Sequence, residues 1–253
     1  MNALKPLLKA IYSLYAGIIF ACLTIINVIP IVFVALAFGK IKGGNLVYFF
    51  CKWWAQIWFW LIGIRHEEIY EAPHNRSRHF IFVANHISYM DIPPIVLAIK
   101  QPYRVLGKYE MVKVPIFGLI YRAAVVLVDR SSPAKRARSV RALKTALSNN
   151  ISIFLFPEGT FNLGHHPLKH FYDGAFRIAI ETETPIKPIL FVDTLERMHY
   201  SSVFSMTPGK CRTVFLEEIP VKGYTIHDIA LLKEKVYAAM DAGLRRYRTY
   251  PDA

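Results

Sequence analysis

No charged side chain occurs between Ala10 and Phe38, and this run limits the possible folds of the chain more than any other segment. A helix of about 20 apolar residues is enough to cross the hydrocarbon core of a bilayer. The run is also far longer than the ~7 to 15 apolar residues of a secretory signal peptide, so we expect the protein to retain it. Asn27 and Pro30 lie within it and predict a break or kink near residues 27–30.

A second apolar segment, Asn45 to Ile64, has a helical pattern with one narrow polar stripe. The stripe consists of Asn45, Lys52, Gln56 and Gly63. This pattern predicts a helix that buries most of its surface in lipid and turns the stripe towards water or protein. Two full membrane spans would leave Lys40 and Lys42 in an external turn, against the positive-inside tendency. A hairpin that enters one leaflet avoids this conflict, and two transmembrane helices are the alternative.

The composition narrows the class of protein. Hydrophobic residues make up 54% of the chain, and the net charge is +13. A basic and apolar protein suits anionic membrane lipid or a phosphorylated substrate. The sequence has no zinc-finger spacing, RNA-binding aromatic signature or polar basic module, so we expect no nucleic-acid partner. The three cysteines are widely spaced, which predicts a reduced, cytosolic side and no disulfide framework.

Strand-like apolar runs alternate with helical patterns through the rest of the chain. The runs cover residues 80–83, 103–106, 124–128, 151–156, 186–192 and 213–216. This alternation predicts an α/β fold with a mixed, largely buried β-sheet flanked by helices. No linker-like segment divides the chain into two soluble domains. We therefore expect an N-terminal membrane-embedded two-helix hairpin over residues 1–65 and an α/β domain over residues 66–253, on the cytoplasmic side of the membrane.

The first polar cluster, Asn85 to Asp91, directly follows the apolar run 80–83. His86 and Asp91 are five residues apart and can meet only if the chain turns between them. The two prolines after Ile92 predict such a turn, because an aspartate followed by proline is typical of a helix start. A neutral imidazole held by a carboxylate can act as a general base towards a hydroxyl. The alternative is an aspartate that caps a helix beside an unrelated buried histidine.

A second polar cluster, Pro157 to Thr160, follows the run 151–156. Gly159 lets the backbone approach a ligand where a Cβ would intrude. Taken alone, this cluster is also typical of an ordinary turn at a strand end. His165, His166 and His170 follow it, but Pro167 interrupts the helix that an i, i+4 ligand pair needs, so we expect no metal site.

Together and in this order, the clusters resemble the motifs of the glycerolipid acyltransferase family, especially its 1-acylglycerol-3-phosphate acyltransferases. The resemblance extends from about residue 66 to residue 195 and includes Arg130, Gly174 and the segment 185–189. It implies that His86 is the general base and that Asp91 orients it. The sn-2 hydroxyl of a lysophospholipid would then attack the thioester of acyl-CoA or acyl-carrier protein, which is a co-substrate, and no cofactor is expected.

The resemblance also implies substrate-binding residues. Arg130 would bind the acceptor phosphate, because a guanidinium matches phosphate in a bidentate manner. Glu158, Gly159 and Thr160 would shape the acceptor pocket. Lys108 matches a lysine near the thioester oxygen, where a cation would stabilise the developing oxyanion.

Three departures from the family pattern affect the acceptor. Ala124 and Leu127 replace a glycine and a phenylalanine of the second motif, and Phe161 replaces a phosphate-binding arginine of the third. The lysine that usually precedes Gly174 is also absent, although Lys169 or Lys187 could substitute for it. We expect acylation of lysophosphatidic acid to phosphatidic acid. The alternatives are another lysolipid such as a lyso-ornithine lipid, or a catalytically inactive membrane lipid-binding protein.

Overall fold

The structure is a computed structural model that describes residues 4–128 and 132–250. The α-helices of these ranges are α1 (Leu4–Phe38), α2 (Gly44–Leu61), α3 (Ile92–Ala98), α4 (Phe117–Ala124), α5 (Pro133–Ser148), α6 (Gly174–Glu181), α7 (Thr194–Arg197) and α8 (Ile229–Tyr247). The strands are β1 (Ile64–Tyr70), β2 (Ile81–Ala84), β3 (Tyr103–Lys108), β4 (Val125–Val128), β5 (Ser152–Leu155), β6 (Ile186–Phe191) and β7 (Gly209–Phe215).

All seven strands form one mixed sheet in the order β1-β7-β6-β2-β5-β3-β4. Neighbouring strands are parallel except β6 and β7, which are antiparallel. Every residue of β2, β5 and β6 is buried, because helices cover both faces of a mainly parallel sheet. The predicted α/β class with a mixed, buried sheet is confirmed. The strand β1, whose residues are mainly polar, was not predicted.

The N-terminal hairpin turns at the predicted place, around Lys40 and Lys42, and the break predicted near residues 27–30 does not occur. Helix α1 continues without a break through Asn27 and Pro30, and Asn27 bonds to the carbonyl of Leu23 within its own helix. The chain instead turns at Gly39, whose φ of +66° favours glycine, and passes through a π-helical turn, Gly39–Gly43. A Cβ at Gly43 would lie 2.6 Å from the carbonyl oxygen of α1 residue Val34. Glycines therefore determine where the hairpin closes. The predicted break near residues 27–30 was wrong, and a kink there stays a prediction.

Helix α2 packs against the protein more extensively than its sequence pattern predicted. The side chains of Val47, Tyr48, Ala55, Trp58 and Phe59 are buried in one core with strands β2, β3 and β7. The part of α2 left for lipid is narrower and includes Trp60, which is 77% exposed. The prediction that lipid covers most of this helix was wrong. Some of its apolar residues pack against α1 and the sheet, and others face outwards. The periodicity of the sequence does not distinguish these two sets of residues.

Arg104 of β3 fixes the closed end of the hairpin to the sheet. Its buried guanidinium donates hydrogen bonds to the carbonyl of Ile41 and to Oδ1 of Asn45, each at 2.9 Å. A Cβ at Gly44 would lie 2.4 Å from this guanidinium, so glycine is needed for the approach. Asn45, predicted to face water or protein, contacts protein.

Helix α1 has the properties of a membrane-associated segment. It is the one helix among the described residues with the length and apolar composition needed to cross a membrane. Its outer surface exposes large apolar side chains, including Ile29 at 73% and Leu36 at 81%. This surface favours association with a membrane. Cytoplasmic orientation, insertion into one leaflet and the division of the chain at residue 65 stay predictions.

Candidate active site

The end of strand β2 is held in place by Asn85, the residue before His86. Its Nδ2 donates to the carbonyl of Phe191 at 3.0 Å, and its Oδ1 accepts the Phe191 N–H at 2.8 Å. The fully buried amide therefore takes the place of a backbone unit and continues the pairing between β2 and β6. This arrangement fixes the point at which His86 leaves the sheet.

His86 and Asp91 meet where the chain turns between β2 and α3. His86 Nδ1 lies 2.8 Å from Oδ2 of Asp91, which is completely buried. The same oxygen accepts the backbone N–H groups of Ile87 at 2.8 Å and Ser88 at 2.9 Å. Because a carboxylate oxygen accepts from Nδ1, the proton is assigned to Nδ1 and the Nε2 lone pair is free to accept a proton.

Asp91 combines the two roles that the sequence left as alternatives. It forms a capping box with Ser88 at the start of the short 3₁₀ helix Tyr89–Asp91, and it also bonds His86. Helix α3 begins at the next residue with its prolines in the first turn, as the sequence predicted. The side chain of Asp91 does not cap α3, because it points back towards the imidazole.

Two aromatic rings limit the orientation of the imidazole. The Phe156 ring stacks on it at a centroid distance of 3.7 Å and an angle of 8°, and the Phe161 ring meets it edge-on at 4.3 Å. The His86 side chain is 18% exposed. The imidazole is therefore held on one edge by Asp91 and on one face by the Phe156 ring, with the Phe161 ring edge-on to it, while part of it stays accessible.

Glu158 lies beneath the site and joins two segments of the chain. Its Oε1 accepts the backbone N–H of His86 at 2.8 Å, and its Oε2 accepts the backbone N–H of Lys169 at 2.9 Å. The residue is 1% exposed, and this burial raises the pKa of its carboxyl group to about 7. Glu158 thus acts on the site by positioning backbone. Gly159, next to it, has a φ of +70°, which favours glycine in this turn.

A cavity of about 600 Å³ extends from His86 between the hairpin and the sheet. Its walls are mainly apolar and come from α1, α2, α3, α4 and β3. Residues Thr24 and Cys51 line it on the hairpin side, and Lys108, Gly159 and Thr160 line it on the side of the domain. A cavity of this size and character can hold a mostly apolar ligand and present one end of it to His86.

The structure brings most of the predicted site residues together. Lys108, at the end of β3, lines the same cavity as His86, Gly159 and Thr160. Arg130 lies outside the described residues. Of the two lysines considered as substitutes in the fourth motif, Lys187 is buried within β6 and bonds to the carbonyl of Pro73, away from the cavity. Lys169 lines the cavity.

Several features of the site were missed by sequence reasoning. The hairpin contribution to the cavity wall depends on how α1 and α2 fold back over the domain. The two backbone bonds of Glu158 join positions 72 and 11 residues away from it in the chain. Among these features, only the hydrogen bonds from Asn85 to β6 could have been inferred from the local sequence. A buried amide directly after an apolar strand needs hydrogen-bond partners, and a neighbouring strand can provide them.

Comparisons with known proteins agree on one kind of enzyme. The family described as Acyltransferase matches residues 64–192 of the chain. A 1-acyl-sn-glycerol-3-phosphate acyltransferase of Haemophilus influenzae is 27% identical over 214 residues, covering 81% of this chain and 87% of that protein. The human 1-acyl-sn-glycerol-3-phosphate acyltransferase alpha is 27% identical over 193 residues, covering 75% and 67%.

One solved structure shares the architecture along nearly the whole chain. It is a 1-acyl-sn-glycerophosphate acyltransferase from Thermotoga maritima, with a TM-score of 0.69, 22% identity and 97% coverage of both chains. At 22% identity, this similarity shows that the two chains share a fold. The matched region of the family includes β1 to β6 and the turn that carries His86 and Asp91.

Proposed function

Because the chain belongs to the acyltransferase family, we propose that it transfers a fatty acyl group from an acyl thioester to the sn-2 hydroxyl of 1-acylglycerol 3-phosphate, giving phosphatidic acid. The observation that carries this proposal is the 2.8 Å bond between His86 and Asp91 at the mouth of an apolar cavity. The names of the curated relatives support the same acceptor.

His86 acts as the general base in this reaction. Its Nε2 takes the proton of the acceptor hydroxyl while the oxygen attacks the thioester carbonyl carbon. The carbon–sulfur bond then breaks, and the thiolate of the donor leaves with the proton from the imidazolium. Asp91 keeps the imidazole in the required tautomer and stabilises the positive charge that forms on it. General base catalysis of this kind contributes about 10²- to 10⁴-fold in rate.

The cavity holds the acyl chain of one substrate. Its apolar wall between the hairpin and the sheet suits a hydrocarbon chain, and α1 exposes an apolar surface through which lipid can be exchanged with the membrane. Lys108 lines the cavity, and we assign to it the stabilisation of the oxyanion on the thioester carbonyl. Arg130, outside the described residues, is assigned to the acceptor phosphate on the resemblance alone.

Gly159 and Thr160 form the wall beside His86, so they limit the shape of the acceptor near its reacting hydroxyl. Phe161 favours a second acceptor class. Its ring covers one edge of His86 at a position where the resemblance predicts an arginine. A lysolipid without a phosphate monoester, such as a lyso-ornithine lipid, would not need that arginine.

An acceptor panel tests the proposal. Purified protein in lipid vesicles is given radiolabelled acyl-CoA or acyl-carrier protein together with lysophosphatidic acid, lyso-ornithine lipid or lysophosphatidylcholine. We expect label in phosphatidic acid, and its loss in His86→Ala distinguishes this enzyme from a contaminating acyltransferase. Label found only in the acylated product of a different lysolipid would refute lysophosphatidic acid as the acceptor. Absence of transfer with every acceptor and both donors would instead support a lipid-binding protein.

A further inference from the structure

The loop between β5 and α6 carries a lysine into the cavity beside His86. Lys169 Nζ donates to Thr160 Oγ1 at 2.9 Å, and both residues line the cavity that His86 opens into. The lysine is half-buried, so its ammonium is partly removed from water. A cation placed in this way interacts more strongly with an anionic ligand than one on an open surface.

One buried carboxylate fixes the position of this lysine relative to His86. The two oxygens of Glu158 accept the backbone N–H groups of His86 and Lys169, at 2.8 and 2.9 Å. The backbone of the proposed base and the backbone of the lysine are therefore held on opposite sides of a single carboxyl group. Both bonds involve main-chain atoms, so they survive substitution of the Lys169 side chain.

The charges around the cavity favour an anionic ligand at this point. Among the described residues that line it, Lys108 and Lys169 carry the positive charges, and no aspartate or glutamate is present. Lys108 comes from β3 and Lys169 from the loop after β5, so they approach the cavity from different parts of the sheet edge. Phe161, next to Thr160, offers no charge. A head group beside Thr160 would therefore meet Lys169.

We propose that Lys169, with Thr160, binds the anionic head group of the acceptor and makes the enzyme selective for lysolipids with a phosphate or similar anion. This inference rests on the proposed function, because it assigns a head-group site to the same reaction. The ammonium acts as a point charge. A neutral acceptor such as monoacylglycerol gains nothing from it, so Lys169 affects the choice of acceptor and leaves the chemical step to His86 and Asp91.

Steady-state kinetics with matched variants test this assignment. In Lys169→Met we expect the KM for lysophosphatidic acid to rise about 10- to 100-fold, the effect of losing one charge-assisted hydrogen bond. The kcat at saturation, the KM for acyl-CoA and the KM for monoacylglycerol should each change by less than about twofold on the same reasoning. Lys169→Arg should restore most of the affinity. Lys222→Met, which removes an exposed lysine from a turn outside the cavity lining, should behave as wild type.

An unchanged KM for lysophosphatidic acid in Lys169→Met would overturn the assignment while leaving the proposed function intact. An equal rise with monoacylglycerol would show a structural effect, and a rise confined to acyl-CoA would show that Lys169 binds donor phosphate. Either result would also overturn it. Calorimetric binding of lysophosphatidic acid to His86→Ala, with and without Lys169→Met, gives an answer even if no turnover occurs. A Kd that is about 10-fold weaker in the double variant supports the site, and equal Kd values refute it.

Discussion

Replacing Asp91 with asparagine or alanine separates its role in the fold from its role towards His86. Oδ2 accepts three N–H groups, from His86 Nδ1, Ile87 and Ser88. Alanine leaves two buried backbone N–H groups without an acceptor, at about 1 to 3 kcal/mol each, so we expect a loss of about 2 to 6 kcal/mol in unfolding free energy. Asparagine can keep its oxygen in the same place, so its loss should be smaller, about 1 to 3 kcal/mol.

The activity of the asparagine variant should fall much more than its stability does. Asparagine has no negative charge to stabilise the imidazolium, so we expect kcat per folded enzyme to fall by about 10²- to 10⁴-fold, the range that a general base contributes. Denaturant unfolding and acyl transfer are measured on the same preparations. Asp193→Asn is the control, because Asp193 also accepts a backbone N–H, that of Arg212 at 2.8 Å, and its bonds are to Arg212. It should lose stability and keep kcat.

The reasoning would be refuted if Asp91→Asn kept kcat close to the wild-type value. It would also fail if asparagine cost as much stability as alanine and the loss of activity matched the fraction of unfolded protein. Asp91 would then be a helix cap beside an unrelated histidine.

Three further predictions concern pH, the hairpin and the cavity. The pKa of Glu158 rises from 4.5 to about 7 on folding, so the native state binds the proton more tightly than the unfolded state does. The free energy of unfolding should therefore fall by up to about 3 kcal/mol as pH rises from 4.5 to 7. Glu158→Gln should flatten this pH profile in denaturant titrations, and a profile that the substitution leaves unchanged would contradict the prediction. Arg104→Met removes the guanidinium bonds to the carbonyl of Ile41 and to Oδ1 of Asn45. It should cost about 2 to 4 kcal/mol in thermal unfolding, whereas an unchanged melting temperature would show that the hairpin turn needs no such bonds. Thr24→Phe should fill part of the cavity and lower the transfer of long acyl chains relative to short ones by about tenfold. Ile25→Phe, on the exposed side of α1, should leave this ratio unchanged. Equal effects of the two substitutions would place the acyl chain elsewhere.

The six strands that were predicted are all apolar runs: five lie in the interior of the sheet, and the sixth, β4, lies at its edge. Such runs are a direct consequence of burial on both faces, so they can be recognised from sequence. Strand β1 lies at the edge of the sheet and carries Arg65, His66, Glu67 and Glu68. Most residues of β1 are half-buried or exposed and polar, so its sequence lacks the apolar signal, and its parallel pairing with β7 could not be inferred.

The hairpin errors have a different cause. Pro30 was given the weight it has in an isolated helix, where loss of one backbone bond ends or bends the segment. In α1 the helix continues through Pro30 to Phe38, and the chain turns at Gly39–Gly43, around the Lys40 and Lys42 that the sequence placed in the turn. The burial of helix α2 was misjudged because some of its apolar residues pack against the protein while others face outwards, and both sets look alike in the sequence.

The contact between His86 and Asp91 was predictable because both residues lie in one turn, where local rules for helix starts apply. The contacts of Glu158 were not, because they join segments that are distant in the chain. Lys169 illustrates the same limit: the sequence named it together with Lys187 as a substitute for the missing lysine before Gly174, and only the fold distinguishes the two by bringing the Lys169 ammonium beside Thr160.

The central claim is that the imidazole of His86 removes the proton from the acceptor hydroxyl. The most direct measurement is the single-turnover rate of acyl transfer to lysophosphatidic acid by wild type and His86→Gln, in lipid vesicles and with both substrates saturating. Glutamine keeps a polar side chain of similar size but cannot accept the proton as a base. We predict a rate at least about 100-fold lower with unchanged binding of lysophosphatidic acid. A rate within about threefold of wild type, less than one kcal/mol in barrier, would contradict the account.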